Sequence, residues 1–367
     1  MDEGPAPKIA VVTFRSAGEA GREVAGVAAA ARIARALAEA GLAEARLAFP
    51  AGEEPDEALL AEIGRVAGSL KIEVASGDRR SSPAGPEAEN LVFLEGNRLL
   101  PAAAIADLAA GRAVAGDAQA IDLDRAGASG EILRLTGKAG DGPVSRWLNR
   151  PLSRRMTALM VRIPGLRPIH ATAGTALLAL LMFVALVAGG AGGLIAGALL
   201  CQAASVFDGV DGELARATFR TSRAGAVLDS VVDVATNILF ILGLTINLAL
   251  SGHEWAFPLA AWGFALFVFG LATIAWRASL ARGPFSLNLV KHHYRQRFPG
   301  PPIRWLISFF TIVSSRDFFA LLFAVLVVVG LPMAVLYLFA AAATIWILFV
   351  VGSLRMTRDR PLTSPGA

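Results

Sequence analysis

The chain has one cysteine in 367 residues. Cys201 lies in an apolar segment, so it can form no intrachain disulfide, and it implies no oxidising compartment. A secretory leader is also missing from the expectation: Met1 to Pro7 is acidic and polar, and the apolar run after it is too short for a signal-peptide core. Before about residue 168 there is no apolar run long enough to cross a bilayer. Charge is sparse as well, at 17% of residues with a net +4. Most of the basic residues flank apolar segments, which points to membrane topology and away from nucleic acid. What the chain has in quantity is apolar side chains, 55% of the total, concentrated after about residue 168.

Residues 1–140 read as a soluble, Rossmann-like α/β domain. Strands are expected at Lys8–Phe14, Ala45–Phe49, Leu70–Ala75 and Leu91–Leu94, with weaker ones at Ala120–Leu123 and Glu131–Leu135. Helices are expected at Glu23–Ala40, ended by Gly41, at Asp56–Ala67 and at Pro101–Ala110. Strands alternating with helices imply a mostly parallel sheet with helices on its faces. Asp78 and the pair Asp122/Asp124 are open to two readings, solvated loop acids or metal ligands.

Residues 145–167 carry Leu148, Leu152, Met156, Leu159, Met160 and Ile163 at helical spacing, with arginines between them. That pattern describes an amphipathic juxtamembrane helix, its apolar side in lipid and its arginines at headgroup phosphates; a soluble-core helix is the other reading. Six membrane spans are expected after it, near 169–189, 193–217, 224–250, 256–280, 306–329 and 331–353. The 168–355 region is thus a six-helix integral membrane domain, and 356–367 a tail. Lys and Arg are missing from the 190–193 turn, the Ser251–Trp255 loop and the Gly330 turn. They occupy the alternate connections, as Arg220 and Arg223, then Arg282, Lys291, Arg295, Arg297 and Arg304, then Arg355, Arg358 and Arg360. The positive-inside rule then places both termini in the cytoplasm of a multi-pass protein of the inner (plasma) membrane.

Two of these apolar segments carry Asp208, Asp211, Asp229 and Asp233. An ionisable residue inside a membrane helix costs roughly 2.5–3.5 kcal/mol on insertion scales, so carboxylates there call for a function. Asp208 and Asp211 are an i,i+3 pair, and Gly225, Asp229 and Asp233 follow at i,i+4,i+8, which gives each helix one stripe. Two facing stripes make a cage of hard oxygen ligands, suited to Mg²⁺, Mn²⁺ or Ca²⁺ and not to Zn²⁺. Gly212, Ala215 and Gly225 let a ligand approach the backbone, and the Arg216 fork suits a phosphate. Together these describe a metal-assisted pyrophosphate site.

The pattern D-x-x-D-G-x-x-A-R, eight residues, then G-x-x-x-D-x-x-x-D resembles the signature of the CDP-alcohol phosphotransferases, and every signature position is filled. At ordinary residue frequencies such a match at one start point has a chance below roughly 10⁻⁸. The resemblance implies transfer of a phosphoalcohol from a CDP-alcohol donor to an alcohol acceptor with release of CMP. It implies Mg²⁺ or Mn²⁺, as a pair of divalent ions, at Asp208, Asp211, Asp229 and Asp233. Asp229 and Asp233 would be the catalytic pair, with Asp233 the general base. Nucleotide binding would fall to Gly212, Ala215, Arg216, Gly225 and Thr172. The family's Pro-Asn-x-x-Thr-like start of the first span reads Pro168-Ile169-His170-Ala171-Thr172 here, with His170 in place of the expected Asn. The remaining polar clusters assign the acceptor to Arg316, Asp317, Lys291, Arg220 and Arg223. Membrane lipids and a second copy, in a homodimer, are the expected partners.

Residues 1–140 faintly resemble the nucleotidyltransferase domain fused to such an enzyme in bifunctional inositol-phosphate proteins. That family has a Gly-rich, Arg-containing loop after its first strand, and Thr13-Phe14-Arg15-Ser16-Ala17-Gly18-Glu19-Ala20-Gly21 lacks the pattern. The domain therefore reads as degenerate, serving structure, dimerisation or regulation. Three readings of the whole remain open: an inositol-phosphate-type phosphotransferase, the same chemistry on glycerol phosphate or another lipid acceptor, and a cation transporter using the intramembrane carboxylates.

Overall fold

The computed structural model describes residues 9–76, 90–112, 120–137, 142–280 and 316–356. The chain divides into two compact units. One is Met1–Gly137 with Arg154–Pro168 and Gly212–Thr221; the other is Lys138–Ser153, Ile169–Asp211 and Ser222–Ala367.

In the first unit β1 (Ile9–Thr13), β4 (Glu44–Phe49), β5 (Lys71–Ser76) and β6 (Leu91–Glu95) form a parallel sheet in the order β5-β4-β1-β6. Val12 pairs in register with Leu47 on one side and Leu94 on the other, and all three are buried. Helices α1 (Ala17–Gly21), α2 (Ala29–Glu39), α3 (Glu57–Ala67), α4 (Ala102–Ala109) and α5 (Ala128–Leu135) accompany it. Asp56 caps α3 by accepting from the Leu59 N–H at 2.7 Å.

Two short elements differ from expectation. The run from Glu23 does not begin a helix: β2 (Glu23–Val24) and β3 (Val27–Ala28) form a hairpin, and α2 starts at Ala29. Ala25 and Gly26 take left-handed backbone at φ 49° and 77°, a two-residue turn that helical periodicity does not reveal. Buried Arg32 holds this turn, donating to the Val24 and Ala25 carbonyls at 2.7 and 2.9 Å. The Glu131–Leu135 run is helix, not strand: Ile132 and Leu133 are buried side by side while Leu135 is exposed, a face that five residues cannot distinguish from alternation. Of the weaker strands, β8 (Ile121–Asp122) pairs antiparallel with β7 (Arg98–Leu99).

Helix α6 (Arg150–Met160) follows a π-helical turn at Ser145–Asn149. Then come α7 (Pro168–Val187), α8 (Gly190–Ala217), α9 (Arg223–Leu250), α10 (Ala256–Leu280), α11 (Arg316–Val328) and α12 (Pro332–Met356). Among the described residues five helices are long and apolar enough to cross a membrane, with α11 a shorter apolar helix. The expected fifth span, 306–329, is described only from residue 316. At 1.5 Å per residue α7 spans the ~30 Å of hydrocarbon. The candidate windows have mean hydropathy of 1.6 to 2.5 although no more than 44% of any window is buried, as lipid-facing helices require. The buried side joins Met182 and Leu186 of α7, Cys201 of α8, Phe240 and Leu244 of α9, and Val335 and Leu336 of α12. Thr236 and Thr245 return their hydroxyl protons to carbonyls four residues back, at 2.8 and 2.7 Å, which satisfies them without water.

Candidate active site

Helix α8 ends and α9 begins on either side of residues 218–222. Ser222 caps α9, accepting from the Gly225 N–H at 3.0 Å, so the signature glycine lies in the first turn and Asp229 and Asp233 follow at one-turn intervals. On the preceding helix, Asp208 lies in the last turns of α8. Carboxylate oxygens of Asp208, Asp229 and Asp233 all fall within 4.8 Å of one another, and all three residues are half-buried. This is the one such cluster among the described residues. The three line a cavity of about 210 Å³ with Ser145, Asn149, Arg150, Ser153, Ser205, Gly209 and Asp317.

Asp211, the fourth signature carboxylate, is not part of this triad. It is buried and accepts a 2.6 Å hydrogen bond from the Thr172 hydroxyl of α7. Gly212, Ala215 and Arg216 belong to the first unit. A Cβ on Gly212 would come within 3.1 Å of the Arg216 guanidinium, and Arg216 Nε donates to the Thr136 carbonyl at 2.5 Å. Arg220 is exposed in the first unit and Arg223 is exposed at the start of α9. Asp317 reaches the cavity, where Asn149 Nδ2 donates to it at 3.5 Å. Arg316 is the first residue of α11, with its side chain outside the described residues, and Lys291 lies outside them entirely.

Several cavity residues are not in the signature. Asn149 is the hub: its Nδ2 also donates to Ser205 at 3.3 Å, and its Oδ1 accepts from Gln202 at 3.2 Å. Ser145, Asn149 and Ser153 are spaced i,i+4,i+8, the polar counterpart of the apolar stripe at Leu148, Leu152 and Leu159. That spacing was the available signal. In the first unit Glu213, within the signature stretch and fully buried, accepts from Thr157 at 2.9 Å.

The C-terminal end of α8 is held within the first unit. Arg32 donates to the Ala217 carbonyl at 2.8 Å and Arg65 to that of Thr218 at 3.3 Å, two cations on a helix C-terminus. Burial pushes the Arg32 guanidinium down to about 10, which leaves it charged at neutral pH. Its plane also lies over the Phe219 ring at 5.4 Å.

The parallel sheet reverses its order at β1, so the crevice beyond the ends of β1 and β6 is where such folds take ligands. Here Arg15 is tied to Glu19 at 2.6 Å and to Asp124, and Arg22 also pairs with Asp124. Asn97 donates to Asp124 at 3.4 Å. Burial alone would raise the Asp124 carboxyl, but the Arg15 hydrogen bond and the charges of Arg22 and Arg15 hold it below its ordinary value. Among the described residues, Arg15 and Arg22 are thus engaged by the chain's own carboxylates.

Comparison with known proteins agrees with the membrane site. The CDP-alcohol phosphatidyltransferase family model matches residues 168–351, half of the chain. A protein of Aquifex aeolicus named bifunctional IPC transferase and DIPP synthase is 38% identical over 146 residues, 40% of this chain and 31% of that protein. Proteins of the same name from Thermococcus kodakarensis and Rubrobacter xylanophilus are 34% identical over 156 residues and 39% over 162, covering 41% and 42% of this chain. The matched stretch spans about a third of the length of these relatives, at 31%, 32% and 34%. With five apolar helices among the described residues and three of the four signature carboxylates drawn together, the chain belongs to the CDP-alcohol phosphatidyltransferase family, as a membrane phosphotransferase.

Proposed function

We propose that the protein transfers a phosphoalcohol from a CDP-alcohol to a second alcohol of the inositol or inositol-phosphate class, releasing CMP. The observation that carries the reaction is the triad of Asp208, Asp229 and Asp233 in a polar cavity of membrane helices. Three carboxylates with oxygens this close repel one another unless a cation joins them, and a hard-oxygen donor set fits Mg²⁺ or Mn²⁺. Bound there, with Asp211 close in sequence, one or two such ions would neutralise the donor diphosphate and stabilise the departing CMP.

The chain's own groups do the rest. Asp233 takes the proton of the acceptor hydroxyl as its oxygen attacks the phosphorus of the alcohol's phosphate. The bond from that phosphorus to the CMP oxygen breaks, and the electron pair leaves with CMP. Gly212, Ala215, Arg216, Gly225 and Thr172 serve the nucleotide, and Asp317, with Arg316, Lys291, Arg220 and Arg223, the acceptor. The acceptor class is supported by the names of the relatives and by the place of Asp317 in the cavity. The first unit, residues 1–140 in the main, acts as a degenerate nucleotidyltransferase-like domain, supported by the engaged arginines of its crevice. The arginine and lysine pattern supports cytoplasmic termini at the inner membrane, and the exposed apolar stripe Val227, Val231, Val234 and Ile238 of α9 offers a surface for lipid or a second copy in a homodimer.

The test crosses donors with acceptors. Purified full-length protein in Mg²⁺ is given CDP-inositol or CDP-diacylglycerol with inositol, inositol phosphate or glycerol phosphate. CMP release with an inositol-class acceptor is expected. Release with glycerol phosphate alone would move the acceptor to the lipid branch, and no release from any pair would return the carboxylates to cation transport.

A further inference from the structure

The cavity beside the triad contains four aspartates, Asp208, Asp229, Asp233 and Asp317. Among the described residues lining it, Arg150 is the sole cation. It is only 7% exposed, so its permanent charge acts largely out of bulk water, where an electrostatic contact with an anion is strengthened. Resting on the reading above, we propose that Arg150 is the phosphate-binding cation of this cavity, a substrate-contacting residue that no part of the aspartate signature includes.

Three features place it there. The π-helical turn at Ser145–Asn149 widens the helix just before Arg150, so Asn149, Arg150 and Ser153 all line the cavity. Neighbours 100° apart on a regular helix do not normally share one face, and such turns recur at functional sites. Next, Arg150 Nη1 donates to the Gly209 carbonyl at 3.4 Å, against the residue that follows Asp208. A Cβ on Gly209 would lie 2.8 Å from Nη1 and 3.2 Å from Ser153 Oγ, so the glycine admits the guanidinium to the helix that carries the triad. Finally, this helix is polar inside and apolar outside. Ser153 is fully buried, whereas Trp147, Leu148 and Leu152 are exposed, as expected where the outer face meets lipid.

The chemistry selects the ligand class. An anionic substrate entering beside four carboxylates meets repulsion that a divalent ion relieves at the triad only. A planar fork with paired N–H donors matches two oxygens of one phosphate group, which Lys cannot reproduce. That phosphate comes from the donor diphosphate or from a phosphorylated acceptor.

The experiment uses full-length protein in detergent, as wild type, Arg150→Ala and Arg150→Lys. Mn²⁺ binding by electron paramagnetic resonance reports that the triad is intact. CDP affinity in Mn²⁺, by calorimetry, reads the donor side. The KM for inositol phosphate against that for inositol reads the acceptor side. Arg150→Ala is expected to bind Mn²⁺ normally and to weaken CDP or inositol phosphate by roughly 10–100-fold, about one charged hydrogen bond, with Arg150→Lys recovering part of the loss. A loss in CDP affinity assigns the donor diphosphate; a loss confined to inositol phosphate assigns the acceptor. Should Arg150→Ala not fold, Gly209→Ala, which displaces the guanidinium, must give the same loss with Mn²⁺ binding retained. Unchanged CDP affinity and unchanged inositol-phosphate KM in a folded variant overturn the proposal. A wild type that binds Mn²⁺ and CDP yet releases no CMP would overturn the proposed function instead, and the CDP arm would still decide Arg150.

Discussion

The Thr172 hydroxyl donates to the Asp211 carboxylate at 2.6 Å, and both side chains are buried. The bond joins the start of α7 to the last turns of α8 at the fourth signature aspartate. Replacing Thr172 by Val removes that donor while keeping the shape, and leaving a buried acceptor short of a partner costs roughly 1–3 kcal/mol. Thr172→Val should melt several degrees lower and need more Mg²⁺ for half-maximal activity, whereas Thr172→Ser should stay near wild type. Equal melting and equal Mg²⁺ dependence of the Val variant would show that the bond matters little.

The crevice of the first unit makes a second prediction. Arg15 and Arg22 are paired with Glu19 and Asp124, and no Gly-rich cradle follows β1. Full-length protein given CTP and inositol phosphate should release no pyrophosphate. Release above background would identify a working cytidylyltransferase.

Asp124 also sets a pH dependence. Its folded pKa is held below the ordinary carboxylate value, so its stabilising effect is present above about pH 4 and is lost as pH falls through the lower folded value. Solvent screening at this exposed cluster limits the effect to at most about 1 kcal/mol. Hydrogen exchange of residues 9–28 should be faster in Asp124→Asn than in wild type at pH 6, and the two should converge toward pH 3. A difference that persists or grows at pH 3 would contradict this origin.

Helices α10 and α12 meet at glycines. A Cβ on Gly270 would fall 2.1 Å from the Trp346 ring, and one on Gly263 would fall 2.4 Å from that of Phe339. Trp262 Nε1 also donates to Thr344 at 3.0 Å across the same pair. Gly270→Val should overpack this contact by roughly 1–3 kcal/mol and lower the melting temperature in detergent. An unchanged melt would mean that the ring turns aside freely.

The legible parts were those where spacing carries the chemistry. Asp208, Asp229 and Asp233 stand at helical intervals on two apolar segments, and the fold brings them together as that spacing implies. Parallel strands were legible from their alternation with helices. The Glu23 hairpin was not, because its turn rests on the left-handed backbone of Ala25 and on carbonyl contacts with Arg32, which is remote from the turn in pattern though near in space. The hydrogen bond of Asp211 to Thr172 was not legible, because an i,i+3 spacing shows which residues share a helix side and not which partner each one meets. The polar stripe Ser145, Asn149 and Ser153 was not singled out, because the apolar residues and the arginines alone define an amphipathic juxtamembrane helix. That stripe lines the cavity.

The most direct test of the central claim is the Mg²⁺-dependent rate of CMP release by Asp229→Asn beside wild type, with a CDP-alcohol and its acceptor in excess. Wild type should release CMP in Mg²⁺ and stop in chelator. Asp229→Asn should melt like wild type and turn over at least about 10²-fold more slowly, the scale of one catalytic group. Turnover of Asp229→Asn near the wild-type rate, or full wild-type turnover in chelator, would contradict a metal-holding carboxylate triad.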